Sequence, residues 1–457
     1  MVFCAFFSVR QTPALASYNP SGLQCWSWIN PSFTSLTQYL CPLTSPNPVG
    51  VQGGTSGYYG YDFNSRIGIN IHLADGTYNN EAGILAELQY LQIHHVRDGL
   101  SVVPGNTYMI NAINDFSSHG IKTHFLTADG MTPSILASDL GYVNAGSYDS
   151  LEGPNELNLS DPGWIGKDQT EATSISTYVQ NSNPSLYKTG PSLGGFDSYS
   201  GLGDLSQYID YGNTHDYAGG FYPETPGYGG PGYCGYLYGG IDYNLCNAKQ
   251  ASISKPVIAT EFGYQINGTV SNDVDASAAS TYIIRQIFAH FSHGISKMFI
   301  YALYDSGGET FGLLSHYAAG RAGFTELGGF MQIVADSTPV NQTCTVPASV
   351  NTTGISSFGI CKSDGTYDLV LWQPVTGWDT NAHAYVNVNP INAQIRYSPT
   401  FAPTSVTAWS HARYTAWSNS GPISQSSLPV SIPITEIPTV VVFNGPSYPS
   451  PLPTAPL

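Results

Sequence analysis

Over residues 67–304 short apolar runs alternate with amphipathic stretches, and no other feature restricts the fold of this chain as strongly. Ile67-Gly68-Ile69-Asn70-Ile71-His72-Leu73 has the period of two of a strand. Ile84, Leu85, Leu88 and Leu91 then share one helical face, and His95-Val96-Arg97-Asp98 forms a second strand with a charged end. Met109, Ile113 and Phe116 mark the next helix, His119-Gly120 its stop, and residues 121–127 a third strand. The rhythm continues with strands at 150–156, 186–192, 211–217, 257–261 and 297–304, and with helices at 171–180 and around Ile284, Ile287, Phe288 and Phe291. A Gly- and Tyr-rich excursion at 219–240 interrupts it and reads as a long rim loop. Eight strands alternating with helices predict a closed parallel (β/α)8 TIM barrel over residues 67–335 rather than an open sheet.

Beyond residue 336 the pattern changes to short strands at 367–372, 384–388, 405–409 and 439–443, divided by Pro, Gly and Asn turns. These predict an appended antiparallel β-sandwich over 336–445, followed by a Pro-rich tail at 446–457. Residues 17–66 are a loop-rich segment without clear periodicity, suited to an N-terminal strand or a lid. Residues 1–16 read as a possible leader or signal remnant, with an apolar run followed by Ala14-Leu15-Ala16. Its apolar run lacks the preceding basic residues of an ordinary signal peptide, since Arg10 follows it. No stretch of apolar residues is long enough to predict a transmembrane helix.

The few charges narrow the function. Fourteen basic residues against 31 acidic ones give a formal charge of −17, which repels phosphate backbones and anionic membranes, so neither nucleic acid nor membrane is an expected partner. With charged residues at 10% of the chain and 32 tyrosines among 49 glycines and 31 prolines, the surface must be covered by neutral polar groups. That composition suits a secreted protein, extracellular or periplasmic, and the acidic balance suits acidic surroundings. Seven cysteines point the same way: Cys4 aside, they fall into the sequence-local pairs Cys25 with Cys41, Cys234 with Cys246, and Cys344 with Cys361. Proximity selects this pairing from fifteen possible ones, and unpaired buried thiols are the alternative. Sequons stand at Asn158, Asn267, Asn341 and Asn351. No Cys-x-x-Cys or His-x-x-x-His spacing suggests a metal, and no cofactor is expected.

Two glutamates carry the chemistry. Glu156 ends Gly153-Pro154-Asn155-Glu156, and Glu261 lies in Thr260-Glu261-Phe262-Gly263 at the end of an apolar, β-branched run. The interval between them divides over three β/α units into about 35 residues each, near what an eight-unit barrel requires, so both reach the C-terminal rim. Taken alone, Asn155 could be a helix N-cap and Glu156 the first turn of that helix. A glutamate closing an apolar strand such as Glu261 is costly to bury without a purpose. Together the pair is the minimal machinery for cleaving a glycosidic bond, one carboxyl protonating the leaving oxygen and the other attacking or activating water.

These two motifs resemble the signature sites of clan A glycoside hydrolases, and the sandwich is similar to those of families 30, 39 and 79, with family 5 also related. The resemblance covers the barrel and implies a retaining glycoside hydrolase acting on β-linked polysaccharide or oligosaccharide. It implies Glu156 as general acid/base, Glu261 as nucleophile, Asn155 on the sugar 2-hydroxyl and Arg97 on the nucleophile, with His215 and Tyr217 lining the same subsite and His72 touching the sugar. The clan usually places a Trp at the end of strand eight. Here Phe299-Ile300-Tyr301-Ala302-Leu303-Tyr304-Asp305 has none, so Tyr304 or a residue of another loop must stand in. Read as structure alone, Arg97 could neutralise Asp98, and His72, His215 and Tyr217 could be core residues. A non-catalytic carbohydrate-binding barrel, a transglycosylase and an inverting enzyme remain alternatives. Carboxyl groups about 5–5.5 Å apart favour retention, and about 6.5–9.5 Å inversion.

Overall fold

The computed structural model describes residues 26–28, 38–40, 54–266, 272–340, 342–398, 400–423 and 429–444. The leader, Cys25, Cys41, the sequons at Asn267 and Asn341 and the Pro-rich tail lie outside the described residues. The chain divides into two units, Met1–Pro46 and Asn47–Leu457. In the first, Trp26–Trp28 pairs antiparallel with Gln38–Leu40.

The second unit contains the barrel. Its strands are Ile67–Asn70, His95–Gly99, Lys122–Leu126, Tyr148–Glu152, Tyr187–Thr189, Gly212–His215, Val257–Phe262 and Ile295–Ile300. All neighbouring pairs are parallel, and the first strand lies between the second and the eighth. The fifth and sixth strands meet through the parallel bridge of Thr189 to Tyr211, which closes the ring. Strands covered on both faces need no polar alternation, and Val257–Phe262 is buried at every position. Three of the helices begin at a side-chain cap: Asn80, Asn106 and Asp275 accept from the amides of Gly83, Met109 and Ser277. After the fifth strand, the 3-10 turn Tyr199–Leu202 stands where the pattern calls for a helix.

Several boundaries differ from the sequence reading, among them the fourth strand, which ends at Glu152, and the sixth, which ends at His215. The fifth strand is confined to Tyr187–Thr189, where Gly190 and Pro191 follow. The eighth ends at Ile300, four residues before Tyr304, because the chain there turns to pair with 311–314 through backbone hydrogen bonds at Ala302 and Leu303. Ala384–Tyr385 pairs with Trp378–Asp379 in a small ribbon of its own rather than joining the sandwich.

The sandwich consists of a seven-stranded sheet and a three-stranded sheet. Period-two alternation sorts its side chains: Leu369, Leu371, Val441 and Phe443 face the sandwich core, whereas Val370, Trp372, Val440 and Val442 join the barrel core beside Phe288 and Phe330. One strand of the larger sheet, Thr55–Tyr59, precedes the barrel in sequence. It runs antiparallel to Thr343–Val346 and parallel to Ser356–Cys361. A Cβ on Gly57 would meet the Gly359 carbonyl oxygen at 1.7 Å, so this approach requires glycine. The Cys344–Cys361 disulfide, Cα to Cα 6.3 Å, ties the two flanking strands together.

Candidate active site

Barrel strands and the residues just after them deliver the relevant side chains to one end of the ring. The fourth strand continues past Glu152 by pairing Asn155 with Ser192, and the Glu156 amide donates to the Ser192 carbonyl at 3.1 Å. Gly153 passes so close to Pro191 that a Cβ would meet its nitrogen at 2.7 Å. Glu156 itself is left-handed, φ 46° and ψ 38°, a conformation unusual for a residue with a side chain and concentrated at functional sites.

Arg97, on the second strand, organises the floor. Each of its five N–H groups has an acceptor: Nε and Nη2 grip Glu152 at 2.6 and 2.9 Å, Nη1 reaches Asn70 Oδ1 and Glu261 Oε1 at 2.8 Å each, and Nη2 reaches Asn155 Oδ1 at 2.8 Å. Glu152 is fully buried and also accepts from Asn213 at 2.8 Å, Thr260 at 3.1 Å and His124 Nε2 at 3.1 Å. Burial alone would raise its pKa, but Arg97 and His124 outweigh that and hold it far below the usual range. The sequence reading missed Glu152, because its strand Tyr148–Glu152 carries Asp149 and Ser150 and so lacks the apolar run that marks Glu261.

Above this floor the two candidate carboxylates face each other. Tyr217 donates to Glu261 Oε2 at 2.7 Å. His215 Nδ1 stands 2.7 Å from Glu156 Oε1 and 3.4 Å from Glu261 Oε2, and the three groups offer atoms all within 4.8 Å of one another. Burial pushes Glu156 up, but the hydrogen bond and charge of His215, with the charge of Arg97, bring it below the ordinary glutamate value. Burial lowers His215, and Glu261 and Glu156 more than reverse this. Among the described residues this trio is also the group of acidic and histidine side chains close enough to hold a metal ion. An ion there would lie beside the Arg97 guanidinium that already neutralises Glu261, so hydrogen bonding is the better use of the three.

The carboxylates open into a cleft of about 390 Å³ lined by Tyr217, Gly263, Gln265, Tyr301, Glu309 and Phe311 among others. Asn155 lines it too, with Oδ1 engaged by Arg97, which leaves its amide nitrogen to a ligand. His72 packs edge-on against Tyr78 and Tyr301 at 6.0 and 5.7 Å, one layer behind the aromatic wall, and burial lowers its pKa.

Tyr304 requires correction. It is buried, its ring packs tilted against Tyr78 at 4.6 Å and its hydroxyl donates to Glu87, so it does not reach the cleft. Tyr301 and Phe311, 5.7 Å apart and steeply inclined, form the aromatic wall instead. The end of the eighth strand at Ile300 explains the shift. Phe311 follows the glycines of a turn, and nothing in its local sequence marks it.

No protein-family model matches the sequence, and no curated protein matches it. Solved structures do match in fold. A GH30 endoxylanase from Clostridium papyrosolvens C71 aligns with a TM-score of 0.55 at 11% identity, covering 86% of this chain and 98% of its own. A monomeric beta-xylosidase from Caulobacter crescentus CB15 aligns at 0.56 with 10% identity and the same coverages, 86% and 98%. A bifunctional glucanase-xylanase from a metagenome library gives 0.54 at 11% identity, again over 86% and 98%. The barrel with its appended sandwich is thus the fold of these glycoside hydrolases over nearly their whole length.

Proposed function

We propose that this chain is a retaining glycoside hydrolase acting on β-linked polysaccharide or oligosaccharide. The observation that carries the reading is the approach of Glu156 and Glu261 within 4.8 Å across a cleft, beside a common histidine. So close an approach favours direct attack by one carboxylate over the separation of about 6.5–9.5 Å that inversion would need. Glu156 gives its proton to the glycosidic oxygen as that bond to the anomeric carbon breaks, and Glu261 forms the new bond to the same carbon. Water then gives a proton to Glu156 and its oxygen to the anomeric carbon, displacing Glu261 with its electron pair. Arg97 and Tyr217, each hydrogen-bonded to Glu261, fix its orientation and disperse its charge. Asn155 is placed for the 2-hydroxyl.

Other observations support the substrate class and compartment. The charged residues lining the cleft, Glu156, Glu261 and Glu309, are all acidic, which favours a neutral sugar over a uronic acid. The fold neighbours are named as an endoxylanase, a beta-xylosidase and a glucanase-xylanase. The disulfides Cys234–Cys246 and Cys344–Cys361 fit an oxidising, extracytoplasmic compartment, and among the described residues no helix is long and apolar enough to cross a membrane.

The test is a screen of chromogenic β-glycosides and neutral β-glycans with three proteins. Glu261→Gln is expected to lose several orders of magnitude in turnover and Glu156→Gln about 10²–10⁴-fold, both with unchanged circular dichroism. Proton NMR of the first product should show the anomer of the substrate. Normal turnover in either variant would sink the assignment, and an inverted first product would sink retention.

A further inference from the structure

The flank of Glu156 turned away from the main cleft departs from the barrel pattern. Residues 190–211 run as a loop around the 3-10 turn Tyr199–Leu202, and its segment Leu193-Gly194-Gly195-Phe196 passes against the acid/base glutamate. A Cβ on Gly194 would lie 2.8 Å from the Glu156 carboxyl carbon and 2.7 Å from a Leu159 methyl. A second hollow, about 40 Å³, opens there between Glu156, Gly194, Gly195, His215 and Tyr238, while Glu261 faces the larger cleft. At its edge Phe196 is 57% exposed and Leu159 62%. Two apolar side chains thus stand exposed next to the polar groups of the site.

Phe196 is exposed yet held. Its ring packs on Tyr238 at 4.4 Å, and Gly230, left-handed at φ 68°, makes room for it, since a Cβ there would fall 2.5 Å from the ring. Tyr238 is braced edge-on by Tyr228 and Tyr243 at 5.6 and 5.4 Å. It belongs to the hairpin of Gly229–Tyr233 and Tyr236–Tyr238, which the Cys234–Cys246 disulfide fastens to the helix Ile241–Ser252. Asn158 pins the loop from the other side, donating to the Gly194 carbonyl at 2.7 Å and to Asp197 at 2.8 Å.

We propose that Phe196, backed by Tyr238 and bordered by Leu159, is the platform on which the leaving-group sugar stacks. This rests on the reading of Glu156 as proton donor, because a donor must stand beside the oxygen that departs with the leaving group. The larger cleft borders both carboxylates and takes the ring that becomes bonded to Glu261; the platform borders Glu156 alone and takes the ring on the far side of the scissile oxygen. A flat, rigid aromatic face receives the apolar C–H face of a pyranose at small entropic cost.

The test compares two substrates of the same glycone, a β-linked oligosaccharide and the corresponding β-glycosyl fluoride, chosen because fluoride places nothing on the platform. Phe196→Ala is expected to lower kcat/KM about tenfold on the oligosaccharide and to leave the fluoride unchanged, with Phe196→Trp restoring the oligosaccharide rate. Equal loss on both substrates, or no loss on either, would overturn the platform while leaving the glutamate pair intact. A change in elution on size exclusion with unaltered kinetics would make the patch a protein contact and overturn it as well. If the unaltered enzyme cleaves neither substrate, the glutamate reading fails and the platform with it.

Discussion

His215 Nδ1 is the atom through which the candidate acid and nucleophile sense each other, at 2.7 Å from one and 3.4 Å from the other. While His215 is a cation it holds Glu156 below its ordinary value, so the two groups share the acidic proton as a unit. A general acid works only while protonated, and activity falls as pH rises through its pKa. Replacing His215 with glutamine removes the larger lowering influence and leaves burial opposed only by the charge of Arg97, so the alkaline limb of kcat/KM is expected to move to higher pH, whatever the loss of turnover. A limb that stays put or moves down would refute the coupling. At this scale the strand-end glutamates were legible because charge at the end of an apolar run needs a reason. Glu152, whose work is to hold Arg97, escaped because Asp149 and Ser150 break the apolar run before it. Tyr301 and Phe311 depend on where a strand stops and how a loop returns, which local periodicity does not encode.

At the scale of elements, strands buried on both faces and helices with one apolar face were readable, since each leaves a local trace. What escaped were features fixed by distant partners: the early end of the eighth strand, the turn replacing a helix after the fifth, and the separate ribbon at Ala384–Tyr385. Two of the three cysteine pairs inferred from proximity lie among the described residues, and both are bonded. They serve different elements. The Cys344–Cys361 bond, 17 residues apart, spans the strand Thr55–Tyr59 and is remote from the cleft. The double replacement Cys344→Ala with Cys361→Ala is expected to cost about 3 kcal/mol in urea unfolding, with unchanged kcat/KM at temperatures where the fold persists. A loss of activity without a loss of stability would contradict this division.

For the whole molecule, an excess of carboxylates was visible from composition, but their burial was not. Burial, first among the causes, pushes Glu87, Asp98, Asp168 and Glu326 up to about 7, Glu171 to about 8 and Asp368 to about 6. Unfolded carboxyls titrate near pH 4, so the folded state binds these protons more tightly. Their stabilising contribution is complete below about pH 4 and is lost as pH rises through 6–8. Asp149 and Asp216 act in the opposite sense: burial would raise them, but Lys297 and His95 around the first and His290 beside the second hold them down, so their contribution is lost in strong acid. The melting temperature is therefore expected to be highest in mild acid and to fall from pH 5 to pH 8, as the net charge of −17 also grows more self-repelling. A flat or rising Tm over that interval would contradict the assignment.

The strand Thr55–Tyr59 carries a consequence for how such a molecule is made. It leaves the ribosome before any barrel strand, yet its partners Thr343–Val346 and Ser356–Cys361 are synthesised only after the eighth. Until then its backbone has no ladder to join, and closing that long loop is an entropic cost met late. The nascent barrel is thus tethered to an unfinished sheet, and a single cut between barrel and sandwich would leave each with a raw edge rather than yield two independent domains.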